Sequence, residues 1–89
     1  MNLKGFKTIT HIGTTTGAAG SNRALHAYLT NDDAAAVETS DYFNDLSDRL
    51  KVGDIILASL DLDGSPALKN YIVTDITSGA VTIAAQTVA

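Results

Sequence analysis

Apolar and polar residues alternate along most of the second half of this chain, and the alternation has the period of a β-strand. From Ala24 to Leu29, Leu25, Ala27 and Leu29 fall on one face and His26 and Tyr28 on the other, which predicts a half-buried strand. Ile55-Ile56-Leu57-Ala58-Ser59-Leu60 is a strongly apolar run bounded by turn residues and reads as a second strand. Leu68 to Ile76 and Ala80 to Ala84 read as two more, the last with Val81 and Ile83 facing one way. The reversals between them have their own chemistry. Val52-Gly53-Asp54 is a tight turn, Gly64 and Pro66 interrupt the chain after Asp61-Leu62-Asp63, and Ser78-Gly79 suits a two-residue hairpin.

Between these strands the period changes. Phe43, Leu46 and Leu50 recur at i, i+3 and i+7, with Thr39 and Ser40 as caps, Asp41 and Asp45 early, and Arg49 and Lys51 late. That pattern suits the helix dipole and predicts a helix over about residues 41–50. A short turn through Ala34-Ala35-Ala36-Val37, capped by Asp33, precedes it. The fold class expected is mainly β with one short helix, a small α+β unit. The helix covers one face of an antiparallel meander or a small barrel-like sheet.

The beginning of the chain is different. Residues 1–12 alternate only partly, with Phe6, Ile9 and Ile12 as the larger side chains, and read as an N-terminal strand or an extended arm. Residues 13–22 hold three glycines and no large apolar side chain, so they form either a flexible connection or an arm that orders on a neighbour. Residues 1–23 are therefore assigned to an arm and residues 24–89 to the compact domain.

Length and composition narrow the function classes. A domain of 89 residues buries only about 60% of its unfolded surface, and with no cysteine it has neither disulfides nor thiolate metal sites to supplement that core. Burial against partners is the remaining common supplement. The formal charge is −4 and the six basic residues form no dense run, which disfavours nucleic acid as a partner. No stretch approaches the roughly 20 apolar residues of a membrane span, and no leader pattern follows Met1, so a soluble protein is expected.

Candidate chemistry is sparse. His11 and His26 lack a local metal-ligand spacing, and lone strand histidines are mostly surface or interface groups. Asp61-x-Asp63-Gly64 resembles the opening of a calcium loop, but position 70 is Asn where the bidentate Glu belongs, so a β-turn explains it better. No nucleophile elbow or phosphate-cradling glycine run is present. No catalytic, cofactor-binding or metal residues are assigned, and no cofactor is expected. The residues assigned to partner contact are Phe6, Ile9 and Ile12 on the arm, and Tyr28, Tyr42 and Tyr71, whose rings suit half-buried contact surfaces.

A combination of short motifs points further. Tyr42-Phe43-Asn44, then Leu50-Lys51-Val52-Gly53-Asp54 and an apolar strand, then Tyr71-Ile72-Val73, resembles a small module of tailed-bacteriophage virion structural proteins: head decoration, head-fibre and spike proteins. The likeness runs over about residues 30–85, and the Gly/Thr-rich beginning lies outside it. What it implies is a non-enzymatic virion component on the capsid surface, a decoration or cement protein that binds the major capsid protein and itself, as a homotrimer. A tail or head-fibre adhesin that contacts the host surface is the alternative. A small metal-dependent enzyme or binding domain, using His11, His26 and the Asp61/Asp63 turn, is a remote third.

Overall fold

The computed structural model describes residues 3–14, 17 and 22–86. Five segments form one sheet: β1 (Phe6–Thr14), β2 (Asn22–Leu29), β3 (Ile55–Leu60), β4 (Ala67–Thr77) and β5 (Ala80–Ala85). Their order in space is their order in the chain. The neighbours β1/β2, β3/β4 and β4/β5 are antiparallel, whereas β2 and β3 run parallel. The sheet is open, not a barrel, and the antiparallel meander expected from the sequence is confined to β3–β5. The residues of β1, expected as part of an arm, instead pair with β2 from Phe6↔Tyr28 to Thr14↔Asn22. Most of the Gly/Thr-rich part of that arm lies outside the described residues.

A parallel pair requires a crossover, because the chain must return to the starting end before the second strand begins. Residues 30–54 make that return and lie across one face of the sheet, contributing Val37, Phe43, Leu46 and Leu50 to the core. The crossover holds one helical turn, α1 (Ala34–Val37), opened by Asp33, whose carboxylate accepts from the Ala36 N–H at 2.9 Å. The helix expected over residues 41–50 is not formed. That segment is a chain of tight turns around a 3-10 turn at Asn44–Leu46.

The physical reason is visible in the backbone. Asp41 has φ 71°, a left-handed conformation that no α-helix continues through. Asn44, Asp45, Ser47 and Asp48 are residues whose side chains compete for backbone groups, and Asn44 Oδ1 accepts from the Val81 N–H at 2.9 Å. Three-residue hydrogen bonds, such as Leu46 N–H to Phe43 O at 2.9 Å, still bring Phe43, Leu46 and Leu50 inward. The apolar spacing thus identified the buried residues correctly and the element wrongly.

The covered face of the sheet carries Phe6, Tyr28, Ile56, Ala58, Leu60, Tyr71, Val73 and Val81. Tyr28 and Tyr42 meet Phe43 edge to face, with centroids 5.5 and 5.0 Å apart. Such aromatic pairs contribute about 0.5–1.5 kcal/mol beyond their area.

Candidate functional site

The pleat of the sheet sends alternate residues to the face opposite the crossover, and the register fixes which ones share a row. Leu25, Ile55, Ile72 and Ala84 form one row, and Ala27, Leu57 and Asn70 the next. Ser59 and Leu68 lie beyond them. These are mostly the side chains of an interior, yet no described residue packs across them. Leu57 is 36% exposed, Ile72 43% and Leu68 69%. Side chains leave two shallow troughs in this face. One of about 340 Å³ lies between β3 and β4, lined by Ile55, Leu57, Asn70, Ile72 and Gln86. The other, about 510 Å³, runs toward β1 past Ile9, Ala27, Leu57 and Leu68.

Charge is segregated in the same sense. Seven of the ten acidic residues lie between Asp32 and Asp54, on the crossover. The middle of the open face has no charged residue; Lys7 stands toward one edge and Asp75 near the β4–β5 hairpin. A broad apolar surface bordered by polar groups, on a molecule that places its charges elsewhere, is what a protein-docking face requires.

The residues assigned to partner contact from the sequence separate into two groups. Ile9 and Ile12 are exposed on the edge strand β1, at 53% and 57%. Phe6, Tyr28 and Tyr71 are buried in the core, and Tyr42 is half-buried against Tyr28 and Phe43. Their hydroxyls are satisfied within the chain. Tyr28 donates to Tyr42 at 2.7 Å and Tyr42 to Asp32 at 2.5 Å, while Tyr71 donates to Glu38 at 2.8 Å. Burial first, then the carboxylate acceptors, push the Tyr42 and Tyr71 phenols well above their usual range. Hydrogen bonds from Lys69 and then Tyr71 hold Glu38 below the usual carboxylate range.

The motif residues prove to be the joints between crossover and sheet. Tyr42 and Phe43 seat the crossover on β2, and Asn44 fastens it to β5. Gly53 donates to Val73 O at 2.7 Å, and Val73 returns a bond to Asp54 O at 3.0 Å. A Cβ at Gly53 would fall 2.8 Å from Arg23 Nε, and its φ of 97° also favours glycine. The buried Asp54 carboxylate accepts from the N–H groups of Ala24 and Lys51, both at 3.0 Å, and from His26 Nε2 at 2.9 Å.

His26 bridges two neighbours, with Nε2 2.9 Å from the Asp54 carboxylate and Nδ1 2.9 Å from Thr8 Oγ1. Thr8, His26 and Asp54 form a line that binds β1, β2 and the crossover end together, with Phe6 stacked on the imidazole at 5.1 Å. The groups named for a metal site do not converge. His26 is level with Ile56 in the register, and Asp61 follows five residues further along the chain, about 16 Å at 3.3 Å per residue. Asp61 instead closes the β3–β4 reversal, accepting from Ser65 N–H at 3.3 Å. Among the described residues no cluster of three or more His, Cys, Asp or Glu side chains is placed to hold a metal ion.

The open apolar face was missed in the sequence because Leu25, Ala27 and Leu57 look like core residues until the crossover's side is known. The signal available was an apolar content on both faces of β3, more than a thin crossover can cover. The chain matches no protein-family model, and neither a curated protein nor a solved structure is significantly similar to it.

Proposed function

We propose that this chain is a non-enzymatic protein-docking module, and specifically an accessory component of a bacteriophage virion that decorates the capsid surface by binding the major capsid protein. The observation that carries the docking reading is the apolar outer face of the sheet, with Leu57, Leu68 and Ile72 left to solvent and Ile55 half-buried beside them, while most of the acidic residues gather on the crossover. The capsid assignment rests on the resemblance of Tyr42-Phe43-Asn44, Leu50-Lys51-Val52-Gly53-Asp54 and Tyr71-Ile72-Val73 to the virion module. Apart from Ile72, which stands on the open face, the buried and turn residues of these motifs join the crossover to the sheet, and what they support is a shared architecture. A homotrimer is the assembly that the resemblance implies.

Purified chain mixed with heads stripped of accessory proteins is expected to co-sediment with them and to saturate at a fixed ratio. Binding to host cells with none to heads would transfer the protein to the adhesin class. Binding to neither would end the virion reading.

A further inference from the structure

We infer that the cavity where the crossover re-enters the sheet is a binding site for one small oxyanion, a phosphate or carboxylate group, held by Arg23, Arg49 and Lys51. The site is separate from the open apolar face, and the inference stands independently of the docking reading.

Charge singles this cavity out. It measures about 140 Å³ and lies between β1, the start of β2 and the end of the crossover. Three of the chain's six Lys and Arg residues line it, Arg23, Arg49 and Lys51, together with His11. Of the ten acidic residues only Asp54 does so. Three cations against one carboxylate leave positive charge in excess, in a chain whose total is −4.

That one carboxylate does not serve the cations. Its Oδ1 accepts from Ala24 N–H, while its Oδ2 accepts from the backbone N–H of Lys51 and lies 2.9 Å from His26 Nε2. Among the described residues the ion pairs His26–Asp54 and Lys69–Glu38 involve neither Arg49 nor Lys51, although Asp45 and Asp48 stand close to both in the chain. Like charges gathered without counter-charge repel one another, and an anion seated between them offsets that repulsion.

The cations are also held in place. The Arg49 guanidinium stands 5.2 Å over the Phe6 ring, which is itself stacked on His26. The Arg23 side chain crosses Gly53 at a distance that leaves no room for a Cβ, and its guanidinium donates to Asn22 O at 2.9 Å. Lys51 is tied through its backbone to Asp54. Groups ordered in advance lose less entropy when a ligand arrives. A guanidinium presents parallel N–H groups that match two oxygens of a carboxylate or phosphate, and an ammonium adds a point charge. The cavity is well below the roughly 300–1,000 Å³ that drug-sized ligands occupy, so it selects a single small group.

The test is an NMR titration of the full chain with inorganic phosphate and, separately, with acetate, at ionic strength held constant with sodium chloride. Saturable shifts of the Arg23 and Lys51 amides and of the Arg49 Nε–H are expected with at least one of the two, half complete at about 1–10 mM. The anion that saturates at the lower concentration identifies the oxyanion. Arg49→Gln and Lys51→Gln, both at exposed positions, are each expected to weaken binding about tenfold with the remaining spectrum unchanged. Shifts that grow without saturating with both anions, or that saturate unchanged in the Arg49→Gln/Lys51→Gln double variant, overturn the inference. The docking reading survives either result, since Leu57 and Ile72 lie outside this cavity.

Discussion

Truncating Asp54 to Ala strips an acceptor from Ala24 N–H, Lys51 N–H and His26 Nε2–H together, inside a region with almost no access to water. Removing one member of such a buried pair costs about 3–5 kcal/mol, mostly through the donors left unsatisfied. Urea unfolding of Asp54→Ala is expected to show a loss of that size, a large part of the stability of a domain this small. The tyrosines supply a second test, with the opposite pH dependence from acid denaturation. Tyr42 and Tyr71 keep their protons to higher pH in the folded chain than in the unfolded one. Their stabilisation is therefore complete below about pH 10 and is lost as the unfolded chain begins to ionise above it. Thermal unfolding temperature should fall between neutral pH and about pH 11, and fall less in a Tyr42→Phe/Tyr71→Phe variant. Glu38 works the other way, its contribution fading as pH drops through its lowered folded value. Solvent exposure keeps that contribution within about 1 kcal/mol.

At the scale of elements, the β4–β5 hairpin turns on Ser78 and Gly79, with φ of 51° and 81° between the paired residues Thr77 and Ala80. Two positive φ values in a two-residue loop are the backbone that Asn-Gly prefers, and Ser holds the left-handed region at a cost. Ser78→Asn is expected to stabilise by about 0.5–1 kcal/mol, a rise of several degrees in Tm by calorimetry. The strands and this turn were legible because a period of two and a Gly-bearing dipeptide are local signals. The helix expected at 41–50 was not. Phe43, Leu46 and Leu50 satisfy the core from a helix or from successive 3-10 turns alike, and the choice was made by Asp41's left-handed backbone and the bond from Val81 to Asn44.

Among the described residues the molecule is a single sheet covered on one side, which is an incomplete arrangement for so apolar a sheet. A partner that binds the open face of the folded chain alone adds stability by mass action. Leu57→Lys is expected to weaken binding to stripped heads in co-sedimentation while leaving the unfolding temperature of the free chain nearly unchanged by differential scanning calorimetry, because the side chain is already exposed. The bond network lies on the other side of the sheet. Thr8, His26, Asp54, Tyr28, Tyr42, Asp32, Glu38 and Tyr71 are spent holding the crossover to the covered face. On the opposite face Lys7, Ser59, Asn70, Asp75 and Gln86 are spread around the apolar Leu57 and Ile72.

The sequence by itself determined the strands β2 to β5, their reversals, the Asp33-capped turn and the inward place of Phe43, Leu46 and Leu50, since each depends on residues close together in the chain. It left open whether β1 joins the sheet, which pair of strands runs parallel, and on which side the crossover lies. Those depend on contacts between distant residues, such as Thr8 with His26 and Asp54 with Ala24. The side taken by the crossover made Tyr28 and Tyr71 core and left Leu57 and Ile72 outside, so only the tertiary structure decided which apolar residues remain for a partner.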